Sequence, residues 1–305
     1  MFPDFAADYA YTRARTLETL ASAADLEVRG LPVEVDGGAP LAFEVRVTNR
    51  TGHKLPTGYP EGRRMWIEVT AQVDDQPPFF VSGHYDPVEA ELDEDAQVRL
   101  YAMHAGVADE GPTFHLVLND AIFLDTRIPP RGFDPAGAVD LLPVGRDYGD
   151  GAGGWRHWDD APFAAPAPGA AQGVVTITAR LLYQTMTRDY IEWLRDTNHS
   201  NQAGQAVYDL WVAAGRAPPV EMARVVARAR IAGTPCAPDE VCNGVDDDCD
   251  GTVDEGFGVV SCGTGACYAE APACQGGEAP VCTPGAPGDE ICDGEDDDCD
   301  GAVDE

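Results

Sequence analysis

The chain has 305 residues, with 53 Asp and Glu against 20 Lys and Arg, a formal charge of −33 and a pI of about 4.2. A surface of that sign repels phosphate and carries no basic patch to release counterions, which excludes nucleic acid and disfavours an anionic membrane surface as partners. No apolar run reaches the roughly 18–20 residues of a membrane span, and the opening MFPDFAADYAYTRAR has neither the basic n-region nor the apolar h-region of a signal peptide.

Residues 8–24 are rich in Ala, Leu and Arg, and Leu17, Leu20 and Ala24 lie along one face, which predicts a helix. From about Leu26 the period changes to two. Leu41, Phe43, Val45 and Val47 alternate with polar or small residues, as do Met65 to Val73 and Val175 to Tyr183, and each run predicts a half-buried antiparallel strand. Shorter strands are predicted at 78–84, 97–103 and 114–124. The stretch 129–170, with its PPRG, GDGAGG and APFAAPAPGAA segments, reads as irregular. Three helical patterns follow, at 188–196, 202–214 and 219–231, punctuated by Gly215 and by Pro218-Pro219. Gly233-Thr-Pro235 then marks a boundary. The fold class these elements predict is mainly β: an immunoglobulin-like antiparallel β-sandwich with flanking helices, followed by a small disulfide-rich, metal-binding C-terminal region. The expected divisions are an N-terminal helix and linker (1–25), the sandwich (26–186), a helical extension (187–235) and an acidic, Cys-rich region (236–305).

That last region differs in kind from the rest. All nine cysteines lie at or after Cys236, whereas all 20 Lys and Arg lie before it. It contains one segment twice, DEVCNGVDDDCDGTVDE at 239–255 and DEICDGEDDDCDGAVDE at 289–305. Such a segment has almost no apolar surface to bury, so disulfides or a bound cation must hold it. Asp246, Asp248, Asp250 and Asp254 fall at positions 1, 3, 5 and 9 of a D-x-D-x-D-G-x-x-D loop, with the Thr252 carbonyl at position 7. Asp296, Asp298, Asp300 and Asp304 repeat them, with the Ala302 carbonyl. Alternate carboxylates on a tight loop, with glycine at the turn, supply the six to eight oxygens that Ca²⁺ takes. Residues 236–305 contain no His, Met or Trp, so the soft and imidazole ligands that suit copper are missing. The local disulfide expectation is Cys242–Cys249 and Cys292–Cys299. Cys262, Cys267, Cys274 and Cys282 lie between the copies, with zinc as the alternative to disulfides, and Cys236 is left over.

The repeats resemble the metal-binding motif of MopE type, E-x-C-[ND]-G-x-D-[DN]-D-C-D-G-x-x-D-E, over 240–255 and 290–305; the name comes from a copper-binding bacterial surface protein. Glu255 and Glu305 fall at position 10 rather than at the position 12 of an EF-hand, so the loop is closer to the shorter thrombospondin type-3 or dockerin-like kind. In the N-terminal part, TGHKLPTGYPEGRRMWIEV, FHLVLNDAIFLDTRIPPRGF and YQTMTRDYIEWLRD resemble the β-sandwich domain that follows the haem region in bacterial multihaem cytochromes c, over roughly 9–224. The resemblance implies that His53, in the Gly/Pro-shaped loop between two strands, is an axial haem ligand, with Arg63 and Arg64 near the propionates. This chain has no CxxCH and attaches no haem c itself, so that role would be played in trans.

No catalytic constellation is present. There is no G-x-S-x-G, Gly149–Gly154 has no P-loop lysine, and His84, His104, His115, His157 and His199 form no H-x-x-x-H or H-E pair. The expectation is therefore an extracytoplasmic accessory or scaffold module of multihaem-cytochrome type, with a calcium-binding tail and a multihaem cytochrome or envelope protein as partner. Its setting would be periplasmic, cell-surface or secreted, with Met1 not the ancestral start and Glu305 a truncation. A truncated multihaem oxidoreductase and a cell-surface adhesion protein are the alternatives.

Overall fold

The computed structural model describes residues 6–137 and 142–304. In chain order the elements are helix α1 (Ala6–Ala21) and strands β1 (Ala24–Arg29), β2 (Glu34–Val35), β3 (Leu41–Asn49), β4 (Arg64–Val73), β5 (Phe80–Ser82), β6 (Tyr85–Asp86), β7 (Glu91–Leu92), β8 (Arg99–Val107), β9 (Gly111–Pro112) and β10 (Ala121–Asp125). Then come β11 (Trp158–Ala165), β12 (Val174–Gln184), helices α2 (Arg188–Thr197) and α3 (Ala203–Ala213), and strands β13 (Val220–Ile231), β14 (Val259–Cys262) and β15 (Ala269–Pro272). The protein is mainly β, as the alternation predicts, and its sheets stay open. It divides into two compact units. The first comprises 1–31, 40–168 and 176–227; the second comprises 32–39, 169–175 and 228–305.

In the first unit, β1 and β11 flank β3 in one antiparallel sheet, and a larger sheet runs β10-β8-β4-β12-β13. The period-two pattern sets what each buries. Phe43, Val45 and Val47 of β3 are enclosed, with Ala161, Phe163 and Ala165 of β11. Met65, Ile67, Val69 and Ala71 of β4 are enclosed likewise, with Ile177, Ala179 and Leu181 of β12. Full burial of each large aliphatic side chain contributes roughly 1.5–3 kcal/mol. The two sheets are also tied by charge: Arg99 of β8 donates from Nε and Nη2 to Asp159 of β11 at 2.6 and 2.7 Å, and the Tyr101 hydroxyl donates to the same carboxylate at 2.9 Å. Helices α2 and α3 insert Ile191 and Trp211 into a second apolar cluster with Trp66, Tyr85, Ala90, Leu92 and Leu182.

Most elements lie where the periodicity predicts them, but three differ. The stretch 219–231 is not a helix but forms β13 from Val220 onward. Their Ala, Arg, Met and Glu are good helix formers, yet weak local preference yields to pairing beside β12. The stretch 129–170 is not irregular throughout, for it contains β11, whose Asp159, Ala161, Phe163 and Ala165 are buried at alternate positions. Pro162 hid this strand, and it is tolerated because β11 lies at an edge of its sheet. Residues 114–124 begin as a 3-10 turn at Leu116–Leu118 before β10.

One buried charge cluster lies at the end of β10. Asp125 is fully buried and accepts from Lys54 Nζ at 2.6 Å and from Arg127 Nε and Nη2, both at 2.8 Å. Burial alone would raise its pKa; the bonds from Arg127 and Lys54 overcome that and hold it below the usual value. Its stabilisation is therefore complete above the unfolded carboxylate pKa, about 3.9, and is lost as pH falls through the lower folded value. Asp125→Asn is expected to cost about 3–5 kcal/mol at pH 7, because two half-buried cations lose the partner that is fully buried between them. It should also flatten the loss of stability below about pH 4. Urea unfolding across pH checks both; an unchanged acid limb would show that Asp125 is not the responsible group.

Candidate metal centre

The second unit holds both acidic repeats. Only Val245 and Cys267 are buried apolar side chains among its described residues after 235, so hydrogen bonds and disulfides fix its backbone. The repeats do this in parallel. Glu240 Oε1 and Oε2 accept from the N–H groups of Asp248 and Asp254 at 2.9 and 3.0 Å; Glu290 accepts from Asp298 and Asp304 at 2.8 and 3.1 Å. Asp254 Oδ1 accepts from the N–H groups of Asn243 and Gly244, and Asp304 Oδ1 from those of Asp293 and Gly294, at 2.8–2.9 Å. Gly251 and Gly301 have φ of +96° and +95°, a turn that L side chains resist. From there each N–H reaches back to Oδ2 of Asp246 or Asp296 at 3.1 and 3.2 Å.

The result is a pair of inward carboxylates. Asp246 and Asp296 are 7% and 6% exposed, and Oδ1 of each is buried with no hydrogen-bond partner. A buried, unpaired carboxylate oxygen is costly unless something compensates it. In the first repeat, oxygens of Asp246, Asp248 and Asp250 lie within 4.8 Å of one another, and so do those of Glu240, Asp248 and Glu255; in the second, the group is Glu290, Asp296 and Asp298. Glu255 Oε2 is also buried and unpartnered. Desolvation raises the Glu255 pKa, and the charges of Asp250, Glu240 and Asp248 raise it further. A hard divalent cation would relieve all of this at once.

The expected ligands therefore separate. Asp246, Asp248 and Asp250 come together, as do Asp296 and Asp298. Asp250 and Asp300 each also accept the N–H two residues on, from Thr252 and Ala302, both exposed. Asp254 and Asp304 are turned to backbone N–H groups, as described above. Glu240, Glu255 and Glu290 join the clusters without having been expected there. For Glu240 and Glu290 the signal was present, since a glutamate precedes the first loop aspartate by the same interval in both copies, but it lies outside the D-x-D-x-D-G spacing. Glu305 lies outside the described residues.

The local disulfides are not the ones formed. The pairs are Cys236–Cys249, Cys242–Cys274, Cys262–Cys282 and Cys267–Cys299, and Cys292 is free and exposed. Carboxylate bonds already close each loop, so its cysteines tie it to flanking segments. These pairings close spans of 13 to 32 residues and restrict the unfolded chain more than a seven-residue ring would. Zinc is overturned for the middle cysteines, since Cys262, Cys267, Cys274 and Cys282 are all oxidised and have no thiolate to offer.

In the first unit, His53 is exposed in the turn after β3, and its imidazole has no hydrogen bond or ring contact among the described residues. Its backbone is fixed: Asn49 Nδ2 donates to the carbonyls of His53, Ile128 and Pro129 at 2.7–3.1 Å. Asn49 pairs with Ala24, three residues past the end of α1, and Arg50 N–H donates to Ala23 O, so His53 lies at the sheet end nearest that helix.

These features define the second unit as a disulfide-stapled pair of acidic cation-type loops. Residues 234–255 and 279–305 match the Cu-binding_MopE family model, described as "Putative metal-binding motif", so both repeats carry the motif they resemble. Among solved structures the chain is similar to a penta-heme cytochrome c552 from Thermochromatium tepidum, with 15% identity and a TM-score of 0.42. The match covers 70% of this chain and spans 41% of that one. No curated protein matches the chain.

Proposed function

We propose that the protein is a non-enzymatic accessory or scaffold module that works outside the cytoplasm, with a tail held in shape by two calcium ions and four disulfides. The observation that carries this reading is the pair of equivalent buried oxygens, Asp246 Oδ1 and Asp296 Oδ1, each unpartnered among further carboxylates. The donors are all oxygen, which favours Ca²⁺; copper finds no imidazole or thioether in residues 236–305, and eight of the nine sulfurs are oxidised. Four disulfides favour an oxidising compartment. Calorimetry on the full chain with Ca²⁺, Mg²⁺ and Cu²⁺ is expected to give two Ca²⁺ per chain with Kd of about 10⁻⁴–10⁻³ M and weaker Mg²⁺. A silent Ca²⁺ titration at millimolar concentration, or tighter copper, would sink the reading.

A second reading gives the first unit a redox partner, a multihaem cytochrome or envelope protein whose haem takes His53 as an axial ligand. Its support is the GHKLPTG resemblance together with the exposed, unpartnered imidazole on a fixed backbone. A ferric haem peptide with one open axial position is the probe. Addition of the protein is expected to shift the Soret band toward a low-spin bis-ligated form, and His53→Ala to lose most of that shift. An equal shift from the variant would assign ligation to another group.

A further inference from the structure

The first unit contains a cleft that the cation-binding tail does not explain. A cavity of about 300 Å³ lies between the start of α2 and the β8–β9 strands. Its walls include Phe114 and Trp193, packed edge to face with ring centroids 6.0 Å apart, and its carboxylates are Glu61 and Asp189. Glu61 is 5% exposed, its Oε2 is buried without a hydrogen-bond partner, and it forms no ion pair among the described residues. It also lines an adjoining cavity of about 320 Å³ beside Asn119, whose side-chain amide is likewise unpartnered on both atoms.

The fold holds Glu61 in place. Gly62 has a φ of +68°, and a Cβ there would approach the Tyr190 ring to 2.6 Å. Its carbonyl accepts from Thr187 N–H at 2.8 Å, and Arg63 N–H closes a turn onto Pro60 O at 3.1 Å. Tyr190 in turn packs on Phe114 with centroids 5.1 Å apart, which braces the aromatic side of the cavity from behind. The Tyr190 phenol is pushed up by burial, by its bond with Tyr59 and by the charge of Glu61.

The chemistry of the lining selects the ligand. Two carboxylates face one basic side chain, His104, in this cavity, and no Lys or Arg lines it, so the lining favours a cation over an anion; Arg63, Arg64 and Arg188 line a neighbouring one, and Arg188 is engaged there by Glu91 and Glu192. A bare metal ion needs converging donors, at least four for zinc and six to eight for calcium; Glu61, His104 and Asp189 are not among the groups of described residues whose ligand atoms lie within 4.8 Å of one another, and the rest of the wall, with Met103, Pro112, Phe114 and Trp193, is largely apolar. A buried carboxylate beside aromatic faces instead suits a soft, weakly hydrated cation, attracted by the ring quadrupoles and by the unpaired oxygen. We propose that this cleft binds a small organic cation, an alkyl or quaternary ammonium, with Glu61 as the counter-charge and Phe114 and Trp193 as the aromatic face.

The test is calorimetry on the full chain with choline, and with dimethylbutanol as its neutral carbon isostere. Choline is expected to bind saturably, the isostere about tenfold more weakly or worse, and Glu61→Gln to weaken choline about tenfold while circular dichroism is unchanged. Trp193→Leu, at a partly exposed position, is expected to weaken choline similarly and serves if the Glu61 variant fails to fold. No choline binding at tens of millimolar, equal binding of the isostere, or unchanged affinity in whichever variant folds would overturn the proposal.

Discussion

Asp246→Asn is expected to act in opposite directions with and without calcium. In chelator, Asp246 lies buried among the carboxylates of Asp248 and Asp250, so removing its charge relieves like-charge repulsion, and the first repeat should be as stable as before or more so. At calcium a hundredfold above Kd, a site of this kind contributes roughly 2.7 kcal/mol of mass-action stabilisation, and the variant should forfeit most of it. Hydrogen exchange across residues 236–304 of the full chain, in calcium and in chelator, reads both halves. Asp296→Asn should repeat the result in the second repeat and leave the first alone. Equal loss of protection in both media would make Asp246 an ordinary structural carboxylate, bonded to Gly251 N–H and nothing more.

Reduction should have a still larger effect, confined to the second unit. Residues 236–304 bury almost no apolar surface, so little remains once the cross-links are gone. Each native disulfide spans 13 to 32 residues, and closing a loop of about 15 residues is worth roughly 3 kcal/mol. Cleaving four is expected to unfold the tail completely at 25 °C and to lower its calcium affinity beyond detection. The first unit, whose core contains no cysteine, should keep its exchange protection. Thiol labelling checks the starting state: one thiol, Cys292, before reduction and nine after. Labelling at Cys236 in the native protein would contradict the pairing with Cys249.

The two results would also separate the roles of cross-links and ions. Glu240 and Glu290 bond the backbone of their own loops, so part of each loop's shape is independent of any metal. The disulfides decide whether the loops exist at all; the cation decides whether the inward carboxylates are tolerated. Calcium is thus expected to matter least in the oxidised, acidified protein, where protonation removes the repulsion that the ion would otherwise neutralise.

Much of this protein was determined by local pattern. The strands at 41–49, 64–73 and 174–184 follow from period two, because a half-buried strand must alternate. The aspartates 246, 248 and 250 converge because their spacing on a tight loop with glycine at the turn leaves few other arrangements. What only the tertiary structure decided was everything whose partner is distant in the chain. Residues 220–231 read as helix until a neighbouring strand claims them, and Trp158–Ala165 reads as loop until Leu41–Asn49 pairs with it. Cys242 chooses Cys274 rather than Cys249, because pairing depends on which Cβ atoms the fold brings together and spacing carries no such information. Nothing local distinguishes Glu61 from other loop acids; its significance comes from sharing a cavity with Phe114 and Trp193, more than fifty residues away in sequence, while its oxygen is buried and unpaired.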